Sequence, residues 1–458
     1  MLTINTFLKN QKTSLIFVLA SIACYFTFAY NLIRTDYINL VTLYGALFFL
    51  FYKLIQELKN NIKALTYIAF SFRAIFILAI PNLSQDFYRF IWDGRMLLQG
   101  FNPYLYNVES FINAQTLPVS QAQILFEGMG SLNASHFTNY PPINQLCFFI
   151  AALLANKSIL GSVVVLRFLI IAADFGTLYF GKKLLNKLNL PEHYIFWYIL
   201  NPFIIIELTG NLHFEGVMIF FLIWSLYLLH QKKWQWASVV FALSISTKLI
   251  PIILLPLFLK WFSKNKQHWD YKRLFVFYTL TILTTIAVFI PFYSNEFITN
   301  YYKTVGLWFT TFEFNASIYY LARSIGYTFR GYNEIAIIGK GISVLTVIFT
   351  LAIALLRKND TTKDLITSML LVLSFYFFMS TTVHPWYIAT LLILSIFTEY
   401  KFPLVWSFVV ILSYLSYLNV DSSDKSENLW IIGLEYSIVY GYLIWEMVIK
   451  KAAKKQLS

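Results

Sequence analysis

Long apolar stretches alternate with short polar loops along nearly the whole chain. A helix needs about 20 apolar residues to cross a bilayer, and twelve stretches approach that length. They cover residues 13–32, 38–56, 64–81, 158–180, 191–208, 211–230, 274–293, 335–356, 364–380, 385–399, 402–419 and 431–449. The pattern predicts an all-α fold, a polytopic transmembrane helical bundle that forms one integral membrane domain over residues 1–458.

Two further apolar stretches are poor candidates for a crossing. Residues 143–156 are too short and are predicted to dip into the bilayer and return. Residues 237–261 carry a lysine and a proline near their middle, which favours a broken hairpin. We therefore expect about twelve net crossings, short re-entrant segments and amphipathic helices outside the bilayer. Within the stretch 158–180, Arg167 and Asp174 are predicted to form a buried structural pair.

Composition and charge agree with this class. The 458 residues are 58% hydrophobic and 12% charged, whereas about a quarter of a soluble domain is charged. The net charge of +13 comes mainly from Lys and Arg in short loops, so it indicates topology and no nucleic-acid partner. Both termini are then cytoplasmic, and the loops 82–142 and 294–334 lie outside. Cys24 and Cys147 both lie in apolar stretches, which excludes a disulfide framework.

A polar, charged segment opens the large external loop. If residues 85–95 are helical, Asp86, Arg89 and Asp93 stand at i, i+3 and i+7 and form one charged stripe. The alternative is a solvated interfacial helix held by ion pairs. The absence of an internal repeat in the sequence favours an enzyme with a lipid substrate over a transporter. Other polar segments lie at outer helix ends under the same topology, at 210–216, 291–296, 314–320 and 380–387.

Short motifs in a fixed order resemble the GT-C class of membrane glycosyltransferases, and within it bacterial mannosyltransferases that use a polyprenyl-phosphate-linked sugar. The resemblance covers about residues 64–400. It implies that an acidic residue of the first large external loop, here Asp86, is the catalytic base. Many relatives have two acids separated by one residue where this chain has Asp86 and Asp93, and Asp where it has Glu215. The motifs are DFYRFIWDGR (86–95), GFNPY (100–104), YPPINQ (140–145), NLHFE (211–215), KLIP (248–251) and HPWY (384–387).

The chemistry of such a transfer accounts for these residue types. A lipid phosphate is a good leaving group, so an inverting transfer needs a carboxylate to take the proton from the attacking hydroxyl and cations to stabilise the departing phosphate. Asp86 is the candidate base, and an ion pair with Arg89 or a helix N-cap is its structural alternative. Asp93 either orients the acceptor or neutralises Arg89. Arg89 and Arg95 either hold phosphate or acceptor, or anchor the loop helix.

Lys248 and His384 are the candidate phosphate ligands. A lysine inside an apolar segment is costly unless it meets a phosphate, a carboxylate or water; its alternative is snorkelling or pairing with Glu207. His384 precedes a proline, which favours a helix start where an imidazole and the helix amides can bind phosphate. Its alternative is packing beside Trp386 in an interfacial aromatic belt. Trp386 and Tyr387 are assigned to the same substrate-binding segment.

The remaining candidates concern the sugar and the acceptor. His213 and Glu215 are two residues apart, so on a helix they diverge by about 200 degrees and are unsuited to ligating one metal. We therefore expect no cofactor and find no support for a divalent metal. Both residues are assigned to sugar hydroxyls, with a polar helix end as the alternative. Tyr140 and Gln145 flank two prolines and either bind substrate or form a turn.

These features lead to one hypothesis and one alternative. The chain moves a sugar, mannose by the resemblance, from a polyprenyl-phosphate donor to a glycan, lipid or protein acceptor. It sits among membrane lipids in a bacterial inner (plasma) membrane, with its active site on the extracytoplasmic face. The alternative is a non-enzymatic carrier or flippase of lipid-linked saccharides, which would need intramembrane charges and alternating access in place of a catalytic carboxylate.

Overall fold

The computed structural model describes residues 4–265, 268–417 and 427–449. Helices make up nearly all the regular structure in these ranges. The exception is a small antiparallel hairpin of β1 (Ser263–Asn265) and β2 (His268–Trp269). The predicted all-α class is therefore confirmed.

The chain begins with three consecutive helices, α1 (Ile4–Tyr30), α2 (Tyr37–Leu58) and α3 (Ile62–Ile75). Polar side chains cap the second and third of them. The Asp36 carboxylate accepts the N–H of Asn39 at the start of α2. The Asn61 side chain accepts the N–H of Ala64 at the start of α3. The first backbone N–H groups of a helix have no hydrogen-bond acceptor within the helix. Because these caps supply acceptors, they fix where each helix begins after a short turn.

The loop 82–142 is largely helical. It contains α4 (Asp86–Leu98), α5 (Val108–Asn113) and α6 (Ala122–Ala134), and it leads into α7 (Pro142–Ala155). A Cβ at Gly94 would lie 2.1 Å from the carbonyl oxygen of Phe148, so only glycine lets α4 approach α7 this closely. Phe90 stacks on Phe148 beside this contact, with ring centroids 4.6 Å apart. α4 is thus fixed directly against α7.

A sharply bent unit follows the long helix α8 (Ile159–Lys187). Its parts are a 3-10 turn (Glu192–Ile195), α9 (Phe196–Ile199), α10 (Pro202–Ile204), a π-helix (Ile205–Gly210) and α11 (Glu215–His230). The segments Pro202–Gly210 and Glu215–His230 meet at 115°. The break falls on 211–214, so the predicted spans 191–208 and 211–230 join at the polar NLHFE segment.

The middle of the chain contains the expected broken hairpin. α12 (Trp234–Ile245) is followed by a 3-10 helix (Ile250–Leu259), with Lys248 between them. After the β-hairpin come α13 (Tyr271–Phe289), a 3-10 turn (Ile290–Phe292), α14 (Asn295–Thr310) and α15 (Ile318–Arg330). α14 and α15 occupy most of the predicted second external loop.

The C-terminal part again alternates long and short helices. They are α16 (Ile335–Leu356), α17 (Thr362–Met379), a 3-10 turn (Pro385–Tyr387), α18 (Ile388–Ser395), α19 (Phe402–Val409), a 3-10 helix (Val410–Tyr417), α20 (Leu429–Ile444) and a π-helix (Trp445–Ile449). Prolines stand at the start of both short apolar helices, Pro385–Ser395 and Phe402–Leu415.

Fewer helices reach membrane-spanning length than the hydropathy pattern predicts. In the described ranges seven are long and apolar enough, or eight if the bent pair counts as one span. The stretch 64–81 yields only the 14 residues of α3 and the stretch 402–419 a helix that turns into 3-10 geometry. The number of about twelve crossings therefore remains a prediction. The seven are Lys12–Tyr30, Tyr37–Leu58, Ile159–Lys187, Tyr271–Phe292, Ile335–Leu356, Thr362–Met379 and Leu429–Val448.

The predicted pairing of Arg167 with Asp174 is wrong. Asp174 accepts instead from Arg73, with Nε and Oδ2 2.7 Å apart and both side chains fully buried. Residues seven apart are about 10 Å apart along a helix axis, so each side chain reaches more easily to a neighbouring segment. Arg167 does this by donating to backbone carbonyls of Ile77, Ala79, Thr209 and Gly210.

The loops rich in Lys and Arg contact one another at one end of the bundle, which we call the basic end. Contacts between them join the loops that follow α8, α11, the 3-10 helix Ile250–Leu259, α16 and α18. They are His230 with Thr362, Lys260 with the Arg357 carbonyl, Lys363 with Glu399, and Lys401 with the Tyr194 ring.

Candidate active site

Asp86 is the first residue of α4, where its N–H donates to the Ser84 hydroxyl at 3.3 Å. The Tyr140 hydroxyl hydrogen-bonds the Asp86 carboxylate, and Lys248 and Glu215 are charged neighbours. The Asp86 side chain is half-buried. α4 is the helix that the charged stripe predicted. Tyr140, Glu215 and Lys248 lie beside its first residue, Asp86.

The surroundings of Asp86 tune its proton affinity. Burial raises the pKa of the Asp86 carboxyl above its usual value, and the charge of Glu215 acts in the same direction. Lys248, the Tyr140 hydrogen bond and Arg34 oppose this rise. A carboxylate with a raised pKa is a stronger base, which suits the removal of a proton from a hydroxyl.

Lys248 forms an ion pair with Glu215, with Nζ and Oε1 2.7 Å apart. The alternative, a pair between Lys248 and Glu207, does not occur. The bend at 211–214 instead places Glu215, at the start of α11, next to the lysine. Glu215 is buried while the Lys248 side chain stays 24% exposed. The second carboxylate oxygen of Glu215 has no hydrogen-bond partner in the protein. The pair thus keeps unused hydrogen-bonding capacity.

The start of α7 holds the tip of the broken hairpin in place. The N–H of Ile143 donates to the Ser246 carbonyl at 3.0 Å, and the Asn144 amide donates to the Thr247 carbonyl at 2.9 Å. These bonds position the residue that follows, Lys248. The YPPINQ and KLIP motifs, about a hundred residues apart in sequence, are thereby joined.

A column of stacked rings forms another wall of the site. His213 stacks on Trp386 (centroids 3.6 Å apart), Trp386 on His384 (4.5 Å) and His384 on Phe314 (5.0 Å). Burial lowers the pKa of His384 to about 3, with Lys248 and Arg34 acting in the same direction. These effects favour the neutral imidazole unless an anion lies beside it.

A cavity of about 190 Å³ lies between these elements. Tyr140, Glu215, Lys248 and Tyr387 line it together with the polar residues 380–382. The backbone of Phe314 fixes that last segment, since its N–H donates to Thr381 and its carbonyl accepts from Val383. The structure thus brings together at one place the predicted residues Asp86, Tyr140, His213, Glu215, Lys248, His384, Trp386 and Tyr387.

The other predicted site residues of α4 have structural contacts. Arg89 pairs with Asp93, with Nε and Oδ1 2.8 Å apart, and also donates to two backbone carbonyls of the loop. The Gln145 amide donates to the second oxygen of Asp93 at 3.0 Å. Arg95 donates to the Ser120 carbonyl. These contacts match the structural alternatives, in which Asp93 neutralises Arg89 and the arginines anchor the loop helix.

Two charged groups near the site were not assigned a functional role from the sequence. Arg34, between α1 and α2, acts electrostatically on Asp86, Glu207 and His384, and its guanidinium lies 5.6 Å from the Tyr414 ring centroid. The predicted topology places Arg34 in a loop on the non-cytoplasmic side, and this position could have identified it as a group near the site. Glu207 lies in the π-helix, where it accepts from the Tyr414 hydroxyl at 2.7 Å.

The part of the chain that the structure describes holds no group of three His, Cys, Asp or Glu side chains arranged to bind a metal ion. The charged groups of the site are instead two carboxylates and a lysine around a cavity. This arrangement can accept a proton and balance a developing negative charge.

The apolar helices and the cavity with charged groups between them define an integral membrane protein. Residues 21–263, more than half of the chain, match the MptA_B family, described as "Alpha-(1->6)-mannopyranosyltransferase, N-terminal domain". The chain belongs to this family, whose activity is that of a hexosyltransferase. The matched range includes Asp86, Tyr140, Glu215 and Lys248. A comparison with curated proteins finds no match.

Proposed function

We propose that this mannosyltransferase takes mannose from a polyprenyl-phosphate donor and transfers it to an acceptor hydroxyl outside the cytoplasm, with inversion and with Asp86 as general base. The observation that carries the proposal is the meeting of Asp86, Tyr140 and the Lys248–Glu215 pair beside one cavity. The acceptor is a glycan, a lipid or a protein. The reaction requires no cofactor, because the donor already carries a phosphate leaving group.

The proposed chemistry is one displacement at the sugar carbon C1. The acceptor oxygen forms its bond to C1 while the bond from C1 to the phosphate oxygen breaks, and the phosphate leaves with the electron pair. Asp86 takes the hydroxyl proton as the bond forms. Lys248 balances the charge that grows on the phosphate, so it acts most strongly in the transition state. Inversion of a β-linked mannosyl phosphate would give an α linkage, the type in the family's description.

The proposed topology has about twelve crossings with both termini in the cytoplasm. The contacts that gather the basic loops at the basic end support it, because positive loops face the cytoplasm. The broken hairpin starts after Lys233 and returns to Lys260, so Lys248 at its tip points away from that end. The active site then opens on the extracytoplasmic face of a bacterial inner membrane.

The side of the site can be tested by cysteine labelling in cells. Cys24 is first changed to Ala, and single cysteines are introduced as Ser110→Cys in the loop of α5 and Asp360→Cys at the basic end. Both positions are exposed. An impermeant thiol reagent should label position 110 and spare position 360 until the cells are opened. The reverse pattern would place Asp86 on the cytoplasmic side and overturn the proposed topology.

The activity can be tested with purified protein in lipid nanodiscs. Polyprenyl-phosphate-mannose and a nucleotide-linked mannose are each offered with a panel of mannose-containing acceptors, and donor consumption is followed. We expect turnover of the lipid-linked donor alone, and the same rate for the control Glu127→Gln, an exposed acid on α6. Turnover of the nucleotide donor alone would contradict the proposed donor.

A further inference from the structure

A second cavity lies at the basic end, across α18 from the cavity beside Asp86. Its volume is about 390 Å³, and it is formed by α2, the 3-10 turn after α8, α18, α19 and α20. Lys59, His193 and Lys401 supply its basic groups, and Tyr194 and Trp197 supply aromatic surface. Among the described residues that line it, none is acidic.

Specific contacts hold Lys401 at the wall of this cavity. Its Nζ lies 5.4 Å from the Tyr194 ring centroid and 3.3 Å from the Thr398 carbonyl oxygen. The carboxylate of Glu446 accepts the backbone N–H groups of Lys401 and Phe402 at 2.8 to 3.0 Å. This acid therefore fixes the backbone that carries the lysine.

The chemistry of the lining favours an anion with an apolar tail. Two ammonium groups beside a cavity without an acidic lining residue create a positive potential, which a phosphate would neutralise. The aromatic rings are of the type found where a bilayer meets water. Apolar residues of α2 and α19, Ile55 and Leu404, complete the wall. A soluble anion would use the lysines but gain nothing from this apolar surface.

We propose that the cavity at the basic end binds the phosphate of an anionic lipid headgroup, with Lys59 and Lys401 as its ligands. This site is separate from the one that carries out transfer. Thr390 lines the cavity beside Asp86 and Leu392 lines the second cavity, so the two cavities lie on opposite sides of α18. Lipid binding at the second site therefore requires neither Asp86 nor the proposed donor.

Native mass spectrometry of the full-length protein in detergent tests the proposal. The ligands are phosphatidylglycerol, the zwitterionic phosphatidylcholine, and inorganic phosphate. We expect phosphatidylglycerol to bind more tightly than either of the others. The double variant Lys59→Gln/Lys401→Gln should weaken its binding by about 30-fold, since each lysine near an anionic lipid is worth about fivefold.

A matched control uses two lysines of the same end that do not line the cavity. In Lys182→Gln/Lys363→Gln, lysines near Glu192 and Glu399 are replaced, and the net charge changes equally. Thermal unfolding of both variants without added lipid should match that of the parent protein. Equal weakening in the two double variants would show unspecific surface attraction and overturn the proposal. Inorganic phosphate binding as tightly as phosphatidylglycerol would overturn the assignment to a lipid.

Discussion

Two aspartates stand two turns apart on α4, and their surroundings differ. Asp93 is fully buried, and fixed donors from Arg89 and Gln145 occupy both of its oxygens. Asp86 is half-buried and meets a tyrosine hydroxyl next to a cavity that a lysine lines. Because the residue type and the helix are the same, the environment alone separates the two roles. We propose that Asp93 holds the loop on the bundle and that Asp86 takes part in the chemistry.

Two ion pairs show the same division between a structural role and a role at the site. Arg73 and Asp174 are both fully buried, and the Arg73 guanidinium also donates to the Ile199 carbonyl. Lys248 and Glu215 border the cavity, and one Glu215 oxygen has no partner in the protein. A pair enclosed by helices can only stabilise or destabilise the fold, whereas a pair at a cavity can also reorganise around a ligand.

The largest expected effect is the loss of activity in Asp86→Asn. Removing a general base costs about 10²- to 10⁴-fold in rate, and the amide keeps the shape of the side chain. The thermal unfolding midpoint should stay the same or rise slightly, since burial already disfavours the charged form. Rates come from donor consumption at saturating acceptor. Near-normal turnover by folded Asp86→Asn protein would remove Asp86 from the mechanism.

Asp93→Asn should have its largest effect on stability. It leaves the buried guanidinium of Arg89 without its carboxylate, and breaking a buried pair costs about 3 to 5 kcal/mol. A clear drop in the thermal unfolding midpoint is expected, with kcat per folded molecule within a few-fold of the parent. A large fall in kcat without loss of stability would instead place Asp93 in contact with substrate.

Lys248→Met should change both the rate and its pH dependence. A proton acceptor works in its charged form, so activity is lost as the pH falls through the pKa of Asp86. Lys248 holds that pKa down, so its removal raises the pKa and moves the acid limb of kcat/KM to higher pH. We also expect kcat to fall about 10- to 100-fold. An unmoved acid limb would mean that another group titrates.

Tyr140→Phe should give the smallest of these effects. It removes one hydrogen bond to the Asp86 carboxylate, worth about 1 kcal/mol, so kcat should fall about fivefold. The acid limb should move in the same direction as in Lys248→Met, but less. A matched change at a neighbouring tyrosine, Tyr104→Phe, removes the hydroxyl that donates to the Tyr140 carbonyl and should leave the acid limb in place.

The sequence predicted which residues form the site better than it predicted which side chains pair with each other. Charge in the loops placed Asp86, the NLHFE segment and His384 at one end, and the structure brings their side chains together. The pairing of Lys248 with Glu215 was not predictable, because it depends on how α7 holds the hairpin tip and where the chain bends at 211–214.

The same limit applies to the fold. Hydropathy predicts apolar segments but not whether each stays a regular helix, so α3 and the proline-led helices are shorter than the apolar stretches that predicted them. Asp174 finds Arg73, 101 residues away in sequence, and no local spacing indicates that contact. Local patterns report which face is apolar, while pairing across helices depends on the assembled bundle.

The most direct test of the division between the two aspartates measures kcat and the unfolding midpoint for Asp86→Asn and Asp93→Asn in parallel nanodisc preparations. Polyprenyl-phosphate-mannose is the donor, and rates are expressed per folded molecule. The account predicts opposite outcomes, with activity lost and stability kept in Asp86→Asn, and stability lost and activity kept in Asp93→Asn. Parallel loss of both properties in both variants would contradict it.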